Sequence, residues 1–265
     1  MTASRVPVGR APNRLGTGPA GGSGERRYAV LVGSVGLAVL ALVGWQLSSL
    51  LVFVIPEPLA TLRTLASNLG SADYLFDVRV TFQNALLAFV LGALLGGAAG
   101  LVLGLSRWAR VVFEPLVVAL NGMPKIVLYP VLLPIFHLSG SKVVMGLLFA
   151  VFPILINVAI GVRELPPVYR KLARSVNASR WQTLVHIILP AIRRPLLTGV
   201  RLSISLAVVG VVLSEFFATR RGLGRVVLQA YSGGDYRNMM ATILLLVSVS
   251  FVLSLLLWRL ERRVR

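Results

Sequence analysis

The residues best placed to handle a polar solute lie inside a stretch that otherwise reads as a membrane helix. Asn121, Gly122, Pro124, Lys125, Tyr129, Pro130 and Pro134 fall within about 14 positions of one another. Each interior proline removes a backbone hydrogen bond and bends a helix. Carbonyls freed at membrane depth are tolerated where they are buried in protein or line a watery cavity. Lys125 is costly in hydrocarbon unless it faces such a cavity or snorkels to an interface, and both readings stay open. The pattern predicts that Asn121, Pro124, Lys125, Tyr129 and Pro130 line a translocation pathway.

Bond-making chemistry has less to work with. There are two histidines, His137 and His186, and no cysteine, which excludes disulfides and leaves too few ligands for a closed zinc site. A membrane-embedded enzyme needs His, Asp, Glu or Ser clustered near one face, and here they are scattered, so no catalytic residue is assigned. Glu164, next to Arg163, reads as an interfacial ion-pair former. Glu215, just before Arg220 and Arg221, reads as a partner in a structural salt bridge. No GxxxxGK[ST] loop occurs, and the glycine cluster from Gly16 to Gly24 lacks the Lys-Ser/Thr end, so the chain does not bind ATP by that route.

The elements that must position these residues are membrane helices. The 265 residues are 56% hydrophobic and 14% charged, with a mean hydropathy of +0.83, a composition of a bilayer protein. Residues 1–27, rich in Gly, Pro, Ala and Arg, read as a disordered basic cytoplasmic tail. The apolar run that follows Arg26 and Arg27 is too long for a signal peptide and is taken as a retained span. The expected fold is all-α and polytopic, with six spans over about 28–55, 78–105, 112–135, 143–162, 196–217 and 239–258. Residues 28–265 then form one permease domain with a cytoplasmic loop at 163–195. With both termini inside, 18 of the 27 Lys and Arg fall on cytoplasmic pieces and 6 on the opposite side. That bias fits the positive-inside rule and accounts for the net charge of +18 without nucleic acid.

Outside the spans, 56–77 and 218–238 are sizeable extracytoplasmic segments, the second expected to fold back as a loop or short surface helix. Residues His137 to Lys142 read as a tight outward turn built on Ser139, Gly140 and Ser141. In the second span Gly92, Gly96, Gly100 and Gly104 recur every four residues, a stripe for close helix packing.

The cytoplasmic stretch LPPVYRKLARSVNASRWQTLVHIILPAIRRP from Leu165 to Pro195 is too polar at its start to span a bilayer. Pro166 and Pro167 suit the opening of a short helix. Tyr169, Leu172, Ala173 and Val176 form its apolar stripe, flanked by Arg170, Lys171 and Arg174. Asn177 suits the left-handed turn that ends it. A second amphipathic helix carries Trp181, Leu184, Val185 and Ile188, with Pro190 as its stop. Such a pair is a docking element for a cytoplasmic partner or, alternatively, a segment lying on anionic lipid.

This stretch resembles the coupling motif of ABC importer permeases of the binding-protein-dependent family. Ala173, Arg174, Ser175, Ala178, Ser179, Arg180, Trp181, Ile187, Leu189 and Pro190 fit it. MPKIVLYPVLLPIF, FPILIN at 152–157 and RGLGRVVLQA at 221–230 resemble the nitrate/sulfonate/taurine branch, and the similarity runs in order over about 78–260. The chain departs from the pattern at Lys171, where the family usually has Glu, at Leu172, where it often has Ala, and at Asn177, where it has Gly.

The resemblance implies a permease giving alternating access for a small anion such as nitrate, a sulfonate or taurine in the bacterial inner membrane. It implies a cytoplasmic ABC ATPase dimer that carries ATP and Mg, an extracytoplasmic solute-binding protein, and a second permease copy; Lys171 keeps a heterodimer open. Tyr169, Lys171, Leu172, Ala173, Arg174, Ser175, Asn177, Ala178, Trp181 and Pro190 would couple to the ATPase, and no cofactor would bind this chain. The alternative is an ATP-independent secondary carrier, which usually shows inverted repeats and midplane ionisable groups. No clear repeat and no mid-span carboxylate are present.

Overall fold

The computed structural model describes residues 23–217 and 219–263, and it is helical, with no strand among the described residues. It divides into two units, residues 1–51 and 52–265. The first holds α1 (Ser23–Leu51), apolar enough from Val32 to Leu51 to cross a membrane. The helix starts inside the segment expected to be a tail, and residues 1–22 of that tail lie outside the described residues.

The second unit runs α2 (Pro58–Leu69), α3 (Ala72–Leu105), α4 (Arg107–Gly122), a 3-10 turn (Lys125–Leu128) and α5 (Tyr129–Arg163). Then come α6 (Pro167–Ser175), α7 (Arg180–Gln182), a π turn (Thr183–Ile188), α8 (Leu189–Ala191), α9 (Arg193–Glu215), α10 (Leu223–Ser232) and α11 (Tyr236–Arg263). By length and composition α3, α9, α11 and the 39-residue stretch Lys125–Arg163 are also long and apolar enough to cross a membrane.

That long stretch is a hairpin. His137 has φ 56° and ψ −177°, which no helix accommodates. Ser141 Oγ lies 3.0 Å from the Leu132 carbonyl and 2.6 Å from that of His137, so its one proton is shared between carbonyls on the two sides of the break. Lys125 Nζ lies 4.9 Å from the Phe152 ring centroid, and Arg163 pairs with Glu114 at 2.9 Å. In a straight helix, positions 125 and 152 would stand roughly 40 Å apart. Residues 107–136 therefore run antiparallel to 138–163, and the second unit supplies five helical passes. The reversal is at His137, and the Ser139–Ser141 stretch expected to form the turn already belongs to the returning helix.

The core is built on α5. Gly92, Gly96, Gly100 and Gly104 of α3 face it in register. A Cβ on Gly92 would meet Ala150 Cβ at 2.8 Å, on Gly100 Leu155 O at 2.6 Å, and on Gly104 Val162 Cβ at 2.6 Å. Gly96 abuts the Val151 carbonyl. Contacts advance together along both helices, so α3 and α5 are parallel. On its other flank α5 takes α9 antiparallel, with Gly199 against Ile154 Cα, Gly210 against Gly146 Cα, and Ser203 Oγ donating to Ala150 O at 2.6 Å. At the end bearing the 163–195 loop, Arg110 donates to Leu103 O and Gly104 O, capping the last carbonyls of α3.

At the opposite end a buried ionic network joins α3, α5, α9 and α10. Lys142 and Glu215 are 4% and 1% exposed, and Nζ lies 3.5 Å from Oε1. Glu215 also accepts from Thr81 Oγ1 (2.9 Å) and the Gly224 amide (2.9 Å), while Thr81 Oγ1 accepts from the Leu223 amide. Lys142 donates in addition to the Arg221 carbonyl. Asp77 accepts from the Gly222 amide at 2.8 Å and from Arg225 at 3.3 Å. Gly222, at φ 127°, lies against the Glu215 carboxylate, so only glycine fits there. Lys142 is thus a core residue rather than part of an outward turn, and α10 is a packed helix with Leu223, Gly224, Val227 and Ala230 buried.

Two outcomes follow from this packing. Gly96→Ala forces a methyl onto a backbone carbonyl and should cost about 1–3 kcal/mol, while Gly97→Ala, whose Cβ meets only Ile154 Cγ2 at 3.9 Å, should be nearly neutral; thermal unfolding in detergent compares them. Lys142→Met strands a buried carboxylate and should cost about 3–5 kcal/mol, with Lys142→Met/Glu215→Leu recovering part of it. Equal stability of the single and double variants in the same assay would contradict that.

Candidate functional site

The antiparallel arm 107–136 breaks where the sequence loads it with prolines, but only one proline makes the break. Ser106 caps α4, its Oγ accepting from the Ala109 amide at 3.2 Å. The helix stops at Gly122, Met123 and Pro124 are extended, and the 3-10 turn follows. Pro130 falls in the first turn of α5, where its missing amide costs nothing. Pro115 and Pro134 lie inside helices that continue through them.

Lys125 is half-buried. Its Nζ donates to Asn121 O at 2.9 Å, a carbonyl orphaned by the end of α4, and sits over the rings of Phe152 (4.9 Å) and Phe149 (5.6 Å). The helix terminus and two aromatic faces together replace part of the water an ammonium loses. Phe152 is eleven residues from Arg163, so Lys125 sits roughly 16 Å in from the loop end of α5. Asn121, Pro124 and Pro130 are exposed around it. Tyr129 differs from its expected place on a pathway: it is 1% exposed, and its ring packs 5.6 Å from that of Phe217, because the 3-10 turn rotates it into the core.

The second candidate region, residues 163–195, has α6 turning into α7 through Asn177 at φ 47°. The Asn177 and Ala178 amides donate back to Arg174 O and Ala173 O at 3.1 and 2.9 Å, closing the end of α6. Ser175 Oγ donates to Leu172 O. A reciprocal capping box then starts α7, with Ser179 Oγ accepting from the Gln182 amide and Gln182 Oε1 from the Ser179 amide. Tyr169 is half-buried and Ala173 is buried, whereas Leu172, Val176 and Trp181 are 49%, 61% and 70% exposed. Arg170, Lys171 and Arg174 are also exposed. The loop thus offers an apolar surface ringed by cations.

Pro190 does not end the second helix as expected. Residues 183–188 form a π turn in which the Leu189 amide reaches back to Leu184 O. The next amide of that series would belong to Pro190, which has none, so the π register ends there and α8 continues to Ala191. The Ser-x-x-Gln spacing at 179–182 was the readable sign of the capping box. The π turn has no comparable sign.

With this geometry in view, comparison with known proteins is direct. Residues 88–265 match the family model described as "Binding-protein-dependent transport system inner membrane component". A probable ABC transporter permease protein of Haemophilus influenzae is 30% identical over 76% of this chain and 82% of its own. The putative aliphatic sulfonates transport permease SsuC of Bacillus subtilis is 26% identical, covering 91% and 88%. The taurine transport system permease TauC of Escherichia coli is 27% identical, covering 90% of both chains. A solved structure of the MetNI methionine ABC transporter in inward-facing conformations shares the fold, with TM-score 0.63 and 20% identity over 72% of this chain and 97% of that one. The chain therefore belongs to the binding-protein-dependent inner-membrane transport family and is the permease subunit of an ABC importer.

Proposed function

We propose that this permease gives alternating access to a small anionic solute and is driven by a separate ATPase dimer docked on residues 163–195. The observation that carries this reading is the exposed apolar set Leu172, Val176 and Trp181, on two helices locked at a fixed angle by the Asn177 turn and the capping box. A rigid apolar surface rimmed by Arg170, Lys171 and Arg174 suits a protein groove that pushes on it, since hydrophobic centres with polar rims characterise protein interfaces. ATP and Mg would sit on the partner chain, which closes as it binds nucleotide. The loop passes that movement to α5 and α9, whose ends it joins. A second copy of this chain would complete the pathway, and a solute-binding protein would deliver cargo from outside. The distribution of Lys and Arg supports a cytoplasmic position for both termini.

An anionic cargo is supported by the sulfonate and taurine relatives and by the half-buried ammonium of Lys125 beside the break in the arm. A helix interrupted at membrane depth with a cation at the interruption is a usual feature of solute pathways.

Ala178→Asp puts a charge at the turn of the loop and should abolish uptake while ATP hydrolysis continues and membrane insertion is unchanged. Wild-type uptake by this variant in proteoliposomes would refute the coupling role. Ala173 is a poorer probe, because its buried methyl makes Ala173→Trp disrupt the loop itself. Lys125→Met should cut anion flux by roughly tenfold or more with normal yield of the assembled complex; a fall in yield alone would make Lys125 structural.

A further inference from the structure

Beside the buried network, a cleft of about 460 Å³ opens between the outer ends of α3 and α5 and the segment 219–221. It lies at the end of the bundle opposite the 163–195 loop. Its polar walls are Gln83 and Asn84 from α3, Ser139 and Lys142 from α5, and Thr219, Arg220 and Arg221. All seven carry N–H or O–H donors, and among the described residues no carboxylate lines the cleft.

The carboxylates nearby are turned to other partners. Glu215 is spent on Thr81, the Gly224 amide and Lys142, and Asp77 on the Gly222 amide and Arg225. Asp73 meets Arg221 from outside the cleft at 3.2 Å. Lys142 and Arg221 are therefore charge-compensated and fixed in place. Arg220 has no carboxylate partner among the described residues and adds an uncompensated positive charge to the wall.

We propose that this cleft is an anion-binding site at the outer mouth of the permease, which takes a small monovalent oxyanion. Arg220 supplies a planar fork of donors that matches two oxygens of such an ion. Ser139 and the amides of Gln83 and Asn84 donate to the remaining oxygen positions. A wall held by the Lys142–Glu215 network needs little rearrangement to receive the ion, which lowers the cost of binding. Its contents would be cargo that has left the solute-binding protein and not yet passed Lys125. The proposal rests on the anion-importer reading above.

The test uses the full-length permease with whatever subunits co-purify, titrated with sodium nitrate and with sodium methanesulfonate while thermal unfolding is followed. The wild type should be stabilised saturably by one or both. Arg220→Gln should raise the half-saturating concentration roughly tenfold, the loss of one charged hydrogen-bonding group. Arg237→Gln, which removes the same charge from the first turn of α11 outside the cleft, should leave the titration unchanged. No saturable effect of either anion on the wild type, equal titrations for wild type and Arg220→Gln, or an equal shift in Arg237→Gln would each overturn the site. Failure of an ATPase to co-purify would count against the importer mechanism and not against the cleft, so the two readings fail separately.

Discussion

Where α3 meets α5, the carbonyls of Val151 and Leu155 and the Cβ atoms of Ala150, Val158 and Val162 occupy the space that side chains on α3 would need. Apolar lipid gives helices no hydrophobic reason to associate, so packing of this closeness is what holds them. The glycine stripe brings the two backbones together, and α9 then closes on the other flank of α5 through Gly199 and Gly210. Both candidate regions hang on this trio. The broken arm packs along α5 through Glu114 and Lys125, and the 163–195 loop joins the adjacent ends of α5 and α9.

The end of the bundle opposite the 163–195 loop is held by a different kind of interaction. Glu215, Lys142, Asp77 and Thr81 are all 4% exposed or less, and removing them from water is costly unless every lone pair and proton finds a partner. Backbone amides of Gly222, Leu223 and Gly224 provide much of that partnership. The polar network therefore fixes the loop before α10 as well as the helices. α10 in turn packs on α11, and Asn68 with Asn238 and Tyr74 with Thr242 bind α2 and α3 to the same helix. Close packing at mid-depth and a charge network at one end hold the bundle, while the loop at the other end keeps Leu172, Val176 and Trp181 exposed.

Much of this architecture was legible in the sequence because the signals are local. A four-residue glycine repeat marks one helical face, Asn177 marks a left-handed turn, and long apolar runs mark helices. The neighbours of those features are set by tertiary structure and were not legible. Lys142 and Glu215 are 73 positions apart and no local pattern links them. Tyr129 reads as a polar-tipped residue in a broken helix, and only the rotation through the 3-10 turn buries it. Proline was the least faithful guide, since its effect depends on position within a turn: Pro124 interrupts, Pro130 opens a helix, and Pro190 ends a π register.

The reversal at His137 bears on how the chain enters a bilayer. Residues 125–163 are longer than a single crossing needs, and only the short run from His137 to Lys142 interrupts their apolar character. The polar run that joins the two arms is only six residues long, and Ser141 Oγ reaches back across the bend to the Leu132 carbonyl. Neither arm is complete alone in hydrocarbon, where each uncovered carbonyl is expensive. The two arms therefore complete one another only as a hairpin, and the positive φ of His137 is what lets the chain turn back within so few residues.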